Sequence, residues 1–192
     1  MAHHPVDSVG LPLPEPSWPD PPGSAGVLEP VRRLCNTVNR EVGADAWRSL
    51  DELAGWLERE HWQVPEPSGS DLEALREIRE MLWRSLRDRR AEELAPVAAR
   101  AVWRAAVHDG RVHLVPGGGA ADMIAAIVTE LVRDAQRDGT WTRLKTCEHC
   151  GWVFHDRSRN RSGRWCSMAA CGGRAKARSY RTRRAQSPTN TT

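Results

Sequence analysis

The sequence predicts a mainly α N-terminal domain with a short β element, followed by a small C-terminal module of knuckle, hairpin and helix in a treble-clef-like order. Three observations predict this. Apolar residues recur at helical spacing behind two capping boxes in the first 140 residues. Four cysteines gather in the last quarter as Cys147-x2-Cys150-x15-Cys166-x4-Cys171, enough for one closed tetrahedral shell. Charge is segregated: residues 140–185 carry +10, whereas the rest of a chain whose total is only +3 carries −7. At 192 residues and 40% hydrophobic composition, the chain can bury a core outside the cysteine module.

Residues 1–26 hold seven of the thirteen prolines in polar surroundings, which predicts an extended or disordered arm. Residues 27–139 form the helical domain. Ser49-x-x-Glu52 opens a helix whose Leu50, Leu53, Ala54 and Leu57 share a face, ending near Trp62 before Pro65. A second box, Ser70-x-x-Glu73, opens a longer helix with Leu72, Leu75, Ile78, Leu82 and Leu86 at helical spacing. Ala91 to Val107 reads as another helix with Pro96 in its first turn. Arg111 to Val115 alternates like a short strand, and a glycine loop at 117–119 precedes a helix from about Ala121 to Arg137. That loop lacks the Gly-Lys-Ser/Thr ending of a phosphate-binding loop. Nine tryptophans against one tyrosine and one phenylalanine leave tryptophan to carry the aromatic packing.

Residues 140–185 are the finger, and residues 186–192 a disordered tail. Cys147-Glu-His-Cys150-Gly151 is a knuckle, Trp152-Val153-Phe154 a short strand, and Asp156 to Gly163 a polar turn. Arg164-Trp165 then returns to Cys166, so that a hairpin follows the knuckle. Ser167 caps a helix that runs to about Arg184. Trp152, Phe154 and Trp165 supply a miniature core. A module this small cannot fold on apolar burial alone, so metal affinity becomes folding energy.

Soft thiolates in a four-coordinate shell select Zn²⁺, and a closed shell is structural, with no open position for catalysis. Cys147, Cys150, Cys166 and Cys171 are therefore the expected zinc ligands. Two disulfides or a thioredoxin-like redox pair are the competing readings. The first needs an oxidising compartment for which no export signal is visible, and the second a βαβ pattern that is absent. His149 and His155 lie nearby, but four cysteines already fill the tetrahedron. Cys35 is the odd thiol and reads as a small core residue.

The basic residues predict a polyanion partner, with DNA the favoured one. Arg157, Arg159, Arg161 and Arg164 fall on the hairpin turn, a place suited to phosphate contacts. Arg174, Lys176, Arg178, Arg181, Arg183 and Arg184 fall on the helix, where Arg174, Arg178 and Arg181 share one face suited to a groove. Arg174 sits beside Gly172 and Gly173, where it can instead brace the metal loop. A membrane surface would need a large apolar helix face, which Arg174 to Arg184 lacks. An RNA-binding or protein-interaction module is the alternative reading, and a zinc or redox sensor a third.

Cys147-x2-Cys150, then Phe154-His155-Asp156-Arg157-Ser158-Arg159-Asn160, then Arg164-Trp165-Cys166-Ser167-Met168-Ala169-Ala170-Cys171-Gly172-Gly173-Arg174 resembles the CGNR zinc-finger family of bacterial proteins. The resemblance implies a stress-induced transcriptional regulator with an N-terminal ABATE domain and a DNA-binding finger. It places the zinc ligands on the same four cysteines and the signature arginine on Arg174. Gly173 stands where the signature has asparagine. Leu34-Cys35-Asn36-Thr37-Val38-Asn39 is similar to the Asp-Phe-Val-Asn-Thr stretch of such N-terminal domains, with Cys35 in the valine slot and no matching Asp-Phe.

No catalytic constellation is visible in the first 140 residues, so the chain is expected not to be an enzyme. Asp51, Glu52, Asp71 and Glu73 fall at helix starts, where carboxylates complement the dipole. The absence of a long apolar run and of a signal peptide predicts a cytoplasmic protein. The expectation is a zinc-dependent DNA-binding transcriptional regulator whose N-terminal domain binds an effector or forms a homodimer.

Overall fold

The computed structural model describes residues 26–186. Apart from Gly26 and Gln186, the expected arm and tail lie outside the described residues. The elements run α1 (Glu29–Cys35), β1 (Val38–Asn39), β2 (Ala44–Asp45), α2 (Leu50–Arg59), α3 (Gly69–Asp88), α4 (Ala95–Arg100), β3 (Trp103–His108), β4 (Arg111–Pro116), α5 (Ala120–Arg137), β5 (Leu144–Thr146), β6 (Val153–His155) and α6 (Gly173–Gln186). The strands pair antiparallel as three separate hairpins.

The main core lies between α1, α3 and α5. The helical stripe of α3 supplies Leu75, Ile78, Leu82 and Leu86, and α5 supplies Ile124, Ala125, Val128 and Val132. Each large aliphatic side chain buried this way is worth about 1.5–3 kcal/mol of transfer free energy. Cys35 is fully buried in this core, as its sequence position implies, and burial pushes its thiol up to about 12. Trp47 packs edge-on against Trp56 at 5.0 Å. Beneath it Arg79, itself buried, donates to both Asp45 oxygens at 2.8 and 2.7 Å and so pins β2 to α3.

The capping box at Ser49 and Glu52 forms as expected, and α2 ends at Arg59. The second box does not. The cap of α3 is Ser68, and Asp71 rather than Glu73 closes it. Asp71 wins because its short carboxylate is buried and serves two helices: Oδ2 accepts from the Ser68 amide at 2.9 Å and Oδ1 from the Ala121 amide in the first turn of α5, also at 2.9 Å.

The helix expected over Ala91 to Val107 is also corrected. A short 3₁₀ turn at Ala91–Leu94 leads into α4, which stops at Arg100, and Trp103–His108 is a strand. It pairs with β4 in register from Trp103↔Pro116 to His108↔Arg111 across a two-residue turn at Asp109-Gly110, where φ is +50° and +71°. Asp-Gly with both residues left-handed matches the twist of a tight hairpin, and this outweighs the alanine-rich helical propensity of residues 98–106.

Candidate metal centre and basic surface

Two strands and a knuckle hold the first cysteine pair. β5 and β6 pair in register Leu144↔His155, Lys145↔Phe154 and Thr146↔Val153. Between them, Gly151 donates to the Cys147 carbonyl at 2.9 Å and the Cys147 amide to the Trp152 carbonyl at 2.8 Å. Gly151 has φ +73°, the left-handed region that favours glycine, and a Cβ there would press on the Arg40 side chain at 3.3 Å. The knuckle is thus the turn of the hairpin. The expected order, a hairpin after the knuckle returning through Arg164-Trp165, is corrected: the Arg164 carbonyl accepts from Glu148 at 3.1 Å instead of joining β6.

Asp156 organises the loop that replaces that expected strand. Only 3% exposed, it accepts from Lys145 Nζ at 2.6 Å and from the amides of Ser158 and Gly163 at 2.9 and 2.8 Å. Burial by itself would raise its carboxyl, but Lys145 and the hydrogen bonds from Ser158 and Gly163 outweigh it and hold the group well below the ordinary carboxylate range. Arg143 donates to the carbonyls of Asp156 and Ser158 at 3.0 and 3.1 Å, completing the loop's frame.

The second cysteine pair sits where the chain turns into the last helix. Ser167 Oγ accepts from the Ala170 amide at 3.2 Å, as a cap should. One wide turn of π type, Met168–Gly172, presents Cys171 before α6 begins at Gly173. The sulfurs of Cys150, Cys166 and Cys171 form a triangle with every side 3.7 Å, and Cys147 Sγ lies within 4.8 Å of each. A tetrahedron of thiolates at about 2.3 Å from one ion has edges of about 3.8 Å, whereas a disulfide would need about 2.05 Å. The four cysteines are positioned to bind one metal ion. Among the described residues they are the only such grouping of histidine, cysteine and carboxylate ligand atoms.

Electrostatics agree with that reading. Hydrogen bonds from Cys150 and Cys166 hold the Cys147 thiol below its ordinary value, while contacts with Cys147 push Cys150 and Cys166 upward. Thiols this close share charge poorly, and a divalent cation is what allows all four to ionise. Phe154 with Trp152 and Trp165 covers the cluster, forming the expected miniature core. Neither histidine joins it. His149 points toward Glu41 at 3.8 Å and Arg178 at 3.4 Å. His155 is held low by burial and by nearby Arg143 and Arg157.

The finger is seated firmly on the helical domain. Leu144 and Val153 belong to the main core, while Phe154 on the opposite face belongs to the metal cluster. Asn36 donates to the Val153 carbonyl and accepts from its amide, both at 2.8 Å. Trp83 Nε1 donates to the Gly151 carbonyl at 2.7 Å, and Arg89 to the Leu144 carbonyl at 3.2 Å. The sequence pattern marks none of Trp83, Arg89 or Glu41, and marks Lys145 only as one of the twelve basic residues of the finger. Asn36 was flagged only by its motif, and Asp156 stood out as one of two acids in a basic stretch.

The arginines divide by what they touch. Arg157, Arg159, Lys176 and Arg181 are exposed and make no ion pair or hydrogen bond among the described residues. Arg161 donates to Thr142 Oγ1 at 2.9 Å, Arg164 clamps Glu148 at 2.8 and 2.5 Å and lies over Trp165, and Arg183 reaches the Ser179 carbonyl within α6. Arg174 reaches Glu41 at 2.6 Å and Arg178 approaches His149, so the helix face expected to meet a groove is partly turned toward the β1–β2 turn and the knuckle. Arg184 lies in the last turn of α6.

No helix among the described residues is long and apolar enough to cross a membrane. No curated protein sequence matches the chain. Residues 143–184 do match the family model of the CGNR zinc finger, a span that contains all four converging cysteines, Asp156 and Arg174.

Proposed function

We propose that the bound ion is zinc and that the protein is a DNA-binding transcriptional regulator, with the finger as its DNA-contacting part and the helical domain as its regulatory or dimerising part. The observation that carries this reading is the exposed arginine surface on a rigid four-thiolate scaffold: +10 over residues 140–185 of a chain otherwise at −7. Such charge density neutralises phosphates and releases counterions, which drives binding to nucleic acid.

In this reading, Arg157 and Arg159 on the Asp156 loop and Lys176 and Arg181 on α6 are the leading contacts, since none spends its charge on a carboxylate in the protein. Arg174 and Arg178 brace α6 against Glu41 and His149 and contribute mainly by placing the helix. The closed sulfur shell leaves the ion a structural task, and the reading assigns the protein no catalytic activity.

The test is electrophoretic competition among a selected DNA site, random duplex and structured RNA, with zinc quantified in the same preparation. Preference for duplex DNA with one zinc per chain is the expected outcome. RNA outcompeting DNA, or no binding to either at low salt, would replace this reading with the RNA-binding or protein-interaction one.

A further inference from the structure

A cleft of about 680 Å³ separates the C-terminal end of α3 from the finger. Its domain wall carries Arg40, Trp83, Arg87 and Arg89, and its finger wall Lys145, the knuckle and Arg161 to Arg164. Six cations line it against only Glu41 and Glu148. Half of those cations are committed to carboxylates of other segments: Arg40 pairs with Glu80 and stacks on Trp83 at 4.2 Å, Lys145 pairs with Asp156, and Arg164 with Glu148. Arg89 and Arg161 are different. Each is held in place by one neutral oxygen, the Leu144 carbonyl and Thr142 Oγ1 respectively, and neither makes an ion pair among the described residues. Arg87 sits at the rim, over Trp83 at 4.8 Å, with half of its side chain exposed and only the adjacent Asp88 as partner.

Two arginines on opposite walls of one cleft, each anchored by a neutral oxygen and neither in an ion pair among the described residues, make a site for a shared anion. Concave walls of lower dielectric focus their field, and the planar fork of arginine matches phosphate oxygens. The walls are also fixed to each other, because Trp83 and Asn36 tie the knuckle and β6 to the domain. We infer that this cleft takes a backbone phosphate of the bound nucleic acid, held between Arg89 and Arg161 with Arg87 at the rim. The interface then extends from the finger onto the end of α3. This rests on the nucleic-acid reading above and adds to it a contact supplied by the otherwise acidic helical domain.

The test is a salt titration of binding to selected and random duplexes by the zinc-loaded full chain and its variants Arg89→Gln, Arg161→Gln, Arg87→Gln and, outside the cleft, Arg157→Gln. Each cleft variant is expected to weaken both duplexes by the same factor and to lower the slope of log K against log salt by about one, the signature of a lost phosphate contact. Zinc content and thermal midpoint are measured alongside. Arg87 makes no bond to the finger, so Arg87→Gln keeps the test valid if Arg89→Gln disturbs the seat of β5. An unchanged slope in Arg87→Gln and in folded Arg89→Gln, with a lowered slope in Arg157→Gln, would overturn the inference and leave the finger as the whole interface. Unchanged affinity in every variant, Arg157→Gln included, would instead count against the nucleic-acid reading itself.

Discussion

Asn36→Ala probes the seat of the metal hairpin. The Asn36 side-chain amide makes two bonds of 2.8 Å with the backbone of Val153, whose side chain is fully buried. Each bond contributes about 0.5–1.5 kcal/mol net, and a buried backbone group left unpaired costs about 1–3 kcal/mol. Allowing water to reach one of the two orphaned groups, the loss comes to about 2–4 kcal/mol. Urea denaturation of the zinc-loaded protein, followed by tryptophan fluorescence, reads this directly, because Trp83, Trp152 and Trp165 all lie at or near the seat. Zinc content should remain at one per chain, since none of the four cysteines is touched. Asn36→Asp should also destabilise: it keeps an acceptor for the Val153 amide but sets a carboxylate against the Val153 carbonyl. A change below about 0.5 kcal/mol for Asn36→Ala would refute the argument that this pair anchors the finger.

Cys166→Ser should abolish stoichiometric zinc binding and unfold α6 with its preceding turn while most helical circular dichroism persists, because apparent zinc-folding energies of roughly 10–16 kcal/mol are what small fingers depend on. Retention of one zinc per chain would oppose this. Gly173→Asn should be accepted and should raise stability by a few tenths of a kcal/mol, since Gly173 has helical φ of −61° and a Cβ there meets nothing nearer than the Met168 carbonyl at 3.9 Å. Gly172→Ala should be close to neutral, within about 0.5 kcal/mol, because its Cβ would meet Met168 Sδ at 3.1 Å, the end of an exposed side chain free to swing away, and calorimetry of the two variants checks both. Asp156→Asn tests pH linkage. Its depressed folded value means that its stabilisation is present above the unfolded value near 3.9 and is lost as pH falls through the folded one. The stability gap between wild type and variant should therefore be constant above about pH 5 and shrink below about pH 4; a gap that widened in acid would contradict the assignment.

What could be read from the sequence follows the range of the forces involved. The α3 stripe from Leu72 to Leu86, the Ser49 box and the Ser167 cap are decided within a few residues, and all three form. The cysteines converge as their spacing implies, because a metal shell constrains only ligand type and number. The structure departs from the sequence expectation where a distant partner decides. Nothing near Ser68 announces that Asp71 is drawn there by the Ala121 amide fifty residues away. The hairpin partner of β6 is β5, chosen because Leu144 and Val153 complete a core made mostly by earlier helices. Ala91 to Val107 departs from a continuous helix for a more local reason, the tight Asp109-Gly110 turn that pairs Trp103–His108 with β4. The arginine surface was legible as charge, but which arginines are spent on Glu41 and Glu148 depends on contacts spanning 133 and 16 residues.

The hairpin that turns Leu144 and Val153 one way and Phe154 the other has a consequence for the order of events during synthesis. The seat made by Asn36, Trp83 and Arg89 emerges from the ribosome before the strands that dock on it, and domains tend to fold from the N-terminal side as they appear. The helical domain can therefore act as a template that shapes the knuckle and presents Cys147 and Cys150 at bonding distance before Cys166 and Cys171 have emerged. For the same reason the finger is a poor candidate for transplantation: cut free near residue 140, it would carry two core side chains into water and leave behind the groups that hold its backbone.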